Sequence, residues 1–163
     1  MSSRRKVLGG VAGSAAAMAM AVNFIGGWEG VKTEAYQDIV GVWTICFGET
    51  RGIEAGQTAT MAECREMLED GIAEFEERLD RCLKREDEIP VGAKVAFVSW
   101  AYNVGTGAAC RSTLVKKANA GDLRGACNEL PRWNRAGGRV IRGLTNRRIS
   151  EREMCLAALD QAS

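Results

Sequence analysis

A chain of 163 residues, 46% apolar and with two prolines, is long enough for one folded domain with a real core and is not composed like a disordered segment. Its net charge of +1 points to no class of partner. The absence of histidine excludes Ser-His-Asp hydrolysis, HExxH zinc sites and the usual neutral-pH general base, so any catalysis falls to carboxylates or thiols.

The chain opens on a positive cluster, Arg4-Arg5-Lys6, followed by an uncharged run from Val7 to Trp28. At ~1.5 Å per residue such a run can span a bilayer core as a helix. It is a poor anchor, because five of its residues are Gly and six are Ala, and Ser14 and Asn23 add polarity. Residues 1–28 are therefore expected to form a leader ahead of a domain at 29–163. Ala19-Met20-Ala21 fits the small-x-small rule of a cleaved signal peptide. Ser3-Arg4-Arg5-Lys6-Val7-Leu8 is close to a twin-arginine signal. That route exports folded proteins, which conflicts with disulfides formed after export.

Glu29 to Tyr36 reads as the end of a helix or a turn. Ile39 to Gly48, with β-branched and aromatic residues between glycines, reads as a short hairpin. Alternation would point Trp43, Ile45 and Phe47 one way and Thr44 with Cys46 the other, leaving Thr44 facing a cleft. Thr60 to Leu83 is amphipathic at three- and four-residue steps, with Thr60 as N-cap and Glu63 completing a capping box. Pro90 opens a helix from Val91 to Val104 that is apolar nearly all round and therefore central. Ser112 caps a helix stopped by Gly121, and Asp122 caps another ending near Pro131. Arg132 to Gly143 is irregular and basic, and Thr145 starts a last helix through Leu159. There is no internal repeat, and the class is α+β, mostly α, with one small hairpin. Arg111 to Glu153 holds eleven Lys/Arg against four Asp/Glu, a balance suited to an acidic polymer.

Cys46, Cys64, Cys82, Cys110, Cys127 and Cys155 contain no Cys-x-x-Cys pair, so a zinc ribbon or thioredoxin-type site is disfavoured. Scattered cysteines beside an apolar leader read as disulfides formed outside the cytoplasm. Without a histidine to activate it, a lone catalytic cysteine is disfavoured as well.

The most specific pattern is Glu29-x8-Asp38-x5-Thr44, set in Trp28-Glu29-Gly30, Tyr36-Gln37-Asp38 and Gly41-x-x-Thr44-x-x-x-Gly48. The bare triplet arises often by chance, as surface charges and a strand threonine; its flanks do not. The segment resembles the catalytic segment of the phage-type lysozymes of glycoside hydrolase family 24, most nearly their signal-anchor-release endolysins. The likeness continues through Tyr102-Asn103-Val104-Gly105, Ser112-Thr113-Leu114, Arg132-Trp133, Ala136-Gly137-Gly138 and Gly143-Leu144-x-x-Arg147-Arg148. Departures are Cys46, where many members carry Gly, and Glu49, where they carry His.

The resemblance implies a two-lobed lysozyme-like fold, with a β-hairpin lobe joined by a long helix to a helical lobe. It implies a muramidase cutting the β-1,4 bond between N-acetylmuramic acid and N-acetylglucosamine of peptidoglycan, for host lysis. Glycoside hydrolysis needs an acid at the leaving oxygen and a second carboxylate across the sugar. Glu29, beside Trp28, is implied as the acid, and Asp38 with Thr44 as holders of the attacking water. Arg147 matches the family arginine paired with the acid, and Asn103 a position lining the sugar cleft. No cofactor, metal or nucleic acid is expected, and the chain is expected to be a monomer.

The resemblance also supplies a third reading of the leader. It inserts at the inner membrane, then leaves uncleaved into the periplasm and packs on the enzyme; weak hydrophobicity favours this over permanent anchoring. No cysteine lies in the leader, so thiol exchange with it cannot be the lock. Cys64 and Cys82 sit about 27 Å apart if they share one helix, beyond the ~7 Å a disulfide allows. The set expected is Cys46–Cys64, Cys82–Cys110 as a pair added to the family pattern, and Cys127–Cys155 on two last helices that pack in this family. A lytic transglycosylase, which needs no Asp38 or Thr44, and a catalytically dead tethered murein-binding protein are the alternatives.

Overall fold

The computed structural model describes residues 10–163, so the Arg4-Arg5-Lys6 cluster and the twin-arginine pattern lie outside the described residues. From Ala15 the leader forms helix α1, Ala15–Glu29, packed against the rest of the chain, with residues 10–14 ahead of it in a turn. Ser14 caps it, its side chain accepting from the Ala17 amide. Ala17, Ala21, Val22, Ile25 and Gly26 make a buried face, with Ala21 and Ile25 fully enclosed. The helix stops at Glu29 because Gly30 takes φ 70°, a conformation costly for any residue with a Cβ. The expected boundary at residue 28 is thus crossed by one continuous helix. No helix among the described residues is long and apolar enough to cross a membrane.

Strands β1 (Lys32–Gln37) and β2 (Trp43–Cys46) form an antiparallel hairpin with Tyr36 opposite Thr44 and Gln37 opposite Trp43. The hairpin expected within Ile39–Gly48 therefore begins earlier. Its first strand, Lys-Thr-Glu-Ala-Tyr-Gln, is too polar to announce itself, while Ile39 and Val40 lie in the exposed turn. The expected alternation fails too. Thr44, Ile45 and Cys46 are all buried, because Cys46 adopts φ 60° and turns inward to bond Cys64. That left-handed conformation is one glycine takes freely and other residues adopt at a cost.

Helix α2 (Met61–Asp80) begins with the expected capping box, Thr60 and Glu63 each binding the other's backbone amide. After a 3₁₀ turn at Glu86–Glu88, α3 (Val91–Val104) follows Pro90, as the sequence suggests. Short helices α4 (Thr106–Cys110), α5 (Thr113–Asn119) and α6 (Leu123–Glu129) come next; Ser112 and Asp122 cap α5 and α6 as expected. A 3₁₀ turn at Leu130–Arg132 precedes a small second hairpin, β3 (Arg135–Ala136) with β4 (Arg139–Val140). The last helix, α7, runs Arg142–Ala162, three residues earlier than expected. Thr145 is not its cap; its hydroxyl donates to the Ile141 carbonyl inside the first turn.

The core is built around α3, whose Val95, Ala96, Phe97, Val98, Trp100 and Ala101 have no exposed surface. Helices α1, α2, α4 and α7 pack on it. The approach of α3 to α7 is close, since a Cβ at Gly92 would lie 2.8 Å from that of Ala158. A second cluster, Ile45, Cys46 and Cys64, fastens the hairpin to α2. The disulfides join Cys46–Cys64, Cys82–Cys110 and Cys127–Cys155, the set expected from the sequence.

Candidate active site

Glu29 ends α1, three-quarters buried, where Arg147 of α7 donates from Nη1 to its Oε1 at 2.7 Å. Arg147 is itself locked. Its Nη2 donates to the Ser99 carbonyl at 3.0 Å and its Nε to Glu151 at 3.2 Å. Glu151 has no exposed surface and also accepts from the Ser99 hydroxyl at 2.7 Å and from Arg148. Burial pushes the Glu151 carboxyl up, while Arg148, Ser99 and Arg147 pull it down. Burial brings Arg148 down to about 10 against the attraction of Glu151. The guanidinium of Arg147 therefore has one permitted orientation, and the carboxylate it presents to is Glu29.

Asp38 follows β1. Its Oδ1 accepts from the amides of Val40 and Val42, both at 2.9 Å, which leaves Oδ2 free for another donor. Thr44 donates from Oγ1 to the Val42 carbonyl at 3.0 Å. Asp38 and Thr44 are thus tied to the same residue from its two sides. Thr44 is only 4% exposed, less open than the alternation of a strand suggests. Glu29 and Asp38 stand on different elements and share no hydrogen bond. Asn103 is exposed on the last turn of α3. Beside it, Tyr102 is pushed up to about 12, first by burial and then by the charges of Glu29 and Glu49.

Several of these groups are not evident from sequence motifs. Ser99 sits in an apolar helix and reads as core, and Tyr102 belongs to a resembling motif without its place beside Glu29 being evident. Glu151 carried a signal, four residues after Arg147 on one helix. A charged chain, Glu49–Arg51–Glu74–Arg78, borders a pocket of about 220 Å³ with Phe47 and Tyr102. Arg51 holds the Glu49 carboxyl below its ordinary range. Neither Glu29, Asp38 nor Thr44 lines that pocket. Among the described residues no cluster of His, Cys, Asp and Glu is arranged to hold a metal.

The phage lysozyme family model matches residues 26–151. The chain is 45% identical over 131 residues to the SAR-endolysin of Enterobacteria phage P21, covering 80% of this chain and 78% of that one. Its fold matches the active form of the P1 phage endolysin Lyz at a TM-score of 0.77 and 29% identity, over 85% of this chain and 84% of the other. Against the secreted inactive form of the same endolysin the TM-score is 0.57 at 25% identity, over 85% and 94%. The hairpin lobe, the joining helix and the helical lobe are those of a lysozyme, and the chain belongs to the phage lysozyme family, a peptidoglycan-lysing glycoside hydrolase of the endolysin type.

Proposed function

We propose that Glu29 is the general acid of this muramidase, that Asp38 and Thr44 hold the attacking water, and that the reaction inverts the sugar. The observation that carries the reading is the Glu29–Arg147 pair: a partly buried carboxyl at a helix end, oriented by an arginine with no other freedom. Glu29 gives its proton to the leaving glycosidic oxygen. Asp38, with Oδ1 occupied by two amides, has Oδ2 for the water proton. Thr44 turns its hydroxyl from Val42 to that water when substrate fills the cleft. Asn103 contacts the sugar chain from the end of α3. The basic surface of the second half suits the acidic polymer.

The leader is read as a signal-anchor-release segment, inserted in the inner membrane and then released whole into the periplasm. The greater likeness to a relative's active form than to its secreted inactive form supports this. So does the placement of Glu29 as the last residue of the leader's own helix. While the leader lies in the bilayer, Glu29 stands at the membrane face and away from Arg147, and the enzyme is idle.

Glu29→Gln keeps the shape and removes the proton; turbidity loss of permeabilised Gram-negative cells should fall on the order of 10²–10⁴ with folding intact. Lysis near the wild-type rate would remove Glu29 from this role. Product mass separates hydrolysis from 1,6-anhydro formation. The mass of the soluble periplasmic protein tests release: an intact chain is expected, and loss of about the first twenty residues would assign a signal peptide instead.

A further inference from the structure

Glu76 lies midway along α2, on the core side, 4% exposed. Among the described residues no cation pairs with it. Its neighbour one turn on, Asp80, takes Lys94. A buried carboxylate without such partners is costly unless hydrogen bonds compensate it. Here they come from the leader: the amide of Val11 donates to Oε1 at 2.6 Å and that of Ala12 to Oε2 at 2.8 Å. Both oxygens bind two successive backbone N–H groups just before the Ser14 cap, while the Val11 side chain is fully buried in the main core. The mechanism makes no use of this acid.

We propose that Glu76 is the receiving site for the released leader, a carboxylate that captures the amides of Val11 and Ala12 and so positions Glu29 at the far end of α1. The inference rests on the release reading. Its force lies in register. The first half of the helix, Ala15 to Ala21, is a run of small and flexible side chains that fixes register less sharply than Val22, Ile25 and Gly26 do in the second half. A slip of one residue turns the helix by about 100° and shifts it by about 1.5 Å, which takes Glu29 off Arg147. Two polar anchors exclude such slips, Glu76 on the amides just ahead of the helix and Arg147 at its end, on either side of a fifteen-residue helix about 22 Å long. Each anchor is directional, charge-assisted and absent while the leader is in lipid. Glu76 is a positioning residue: it acts on the reaction through the helix and touches no substrate.

The test uses the full-length chain purified from the soluble periplasmic fraction, first confirmed intact by mass. Glu76→Ala should lower kcat about tenfold or more with KM within twofold, since charge-assisted bonds to a buried carboxylate are each worth roughly tenfold in an equilibrium. Amide exchange should rise at least tenfold across residues 11–18 while α3 and α7 keep wild-type protection. A general loss of stability would instead speed exchange in all three. Ala12→Pro removes one donor without touching α2 and should give the same local pattern. Combined with Glu76→Ala it should add little; where Glu76→Ala does not fold, Ala12→Pro alone decides the matter by the same two readouts. Wild-type kcat, or wild-type exchange across residues 11–18, in the folded variant overturns the proposal. A wild-type protein found cleaved within the leader overturns the release reading, whereas an intact protein indifferent to both substitutions overturns Glu76 alone.

Discussion

The three disulfides close consecutive, non-overlapping loops, so the cost of losing each can be worked separately. Cys82–Cys110 and Cys127–Cys155 both span 28 residues, and Cys46–Cys64 spans 18. Chain-entropy loss on closing a loop of n residues is about 2.1 + 1.5R ln n cal/mol/K, which gives about 3.6 kcal/mol at 25 °C for each longer loop and about 3.2 for the shorter. Burial separates the two equal loops. Cys127 and Cys155 have no exposed surface, while Cys82 and Cys110 are half-buried. Cys82→Ala with Cys110→Ala should therefore cost close to the entropic value, about 3–4 kcal/mol. Cys127→Ala with Cys155→Ala should cost more, because emptying the packed space around two buried sulfurs adds a cavity cost of about 1 kcal/mol or more. Urea titration at neutral pH without reductant, analysed by linear extrapolation, measures both. A cost below about 1 kcal/mol for the Cys82–Cys110 pair, or a smaller cost for the buried pair than for the half-buried one, would refute the reasoning.

The two glycines near the end of α1 should behave oppositely. A Cβ at Gly27 meets nothing within 4 Å, so Gly27→Ala should stabilise the released protein by up to about 1 kcal/mol through helix propensity; at Gly26 a Cβ lies 3.2 Å from Phe47 and 3.3 Å from Leu68, so Gly26→Ala should gain nothing or destabilise. Thermal melts that rank them the other way would mean the leader is not docked as described. Arg147→Ala should cost about 1.5–3 kcal/mol by removing one charge-assisted partner of buried Glu151, which keeps Arg148 and Ser99, a loss read by urea titration; Arg147→Lys keeps the charge, loses the two-sided grip, and should lower kcat more than it raises KM. Glu63 is held below its ordinary range by the Thr60 amide, so its capping contribution is present above the unfolded carboxylate range and fades as pH falls through the lowered folded value. The melting-temperature gap between wild type and Glu63→Gln should therefore be constant from neutral pH to about pH 5 and close toward pH 3; a gap that widens on acidification would contradict the capping assignment.

What could be read in advance follows what each signal depends on. Helices α2 and α3 were legible because capping box, proline start and apolar spacing are local to the chain. Strand β1 was not, since Lys32 to Gln37 is polar and becomes a strand by pairing with Trp43 to Cys46. The start of α7 was obscured because Ile141, its cap position, offers no side-chain bond, and Thr145 four residues on reads as the start instead. Glu29, Asp38, Thr44 and Arg147 stood out through flanking residues. Of their supports, Glu151 had only its spacing from Arg147, and Ser99 had no signal, because the two meet through contacts between α3 and α7, 52 residues apart in sequence.

Helix α1 has two sides that answer to different solvents. Ala17, Ala21, Val22, Ile25 and Gly26 fill the protein interior, whereas Ala15, Ala16, Met20, Asn23 and Gly27 face outward. Lipid surrounds a helix and weighs all its residues by hydrophobicity; a folded core tests the shape of one face. If the leader passes from one to the other, outward positions can drift in polarity and alter only how long the chain stays in the bilayer. Inward positions change both dwell time and the finished enzyme. The clock of lysis could then be reset by mutation on one face of a helix without rebuilding the catalyst on the other.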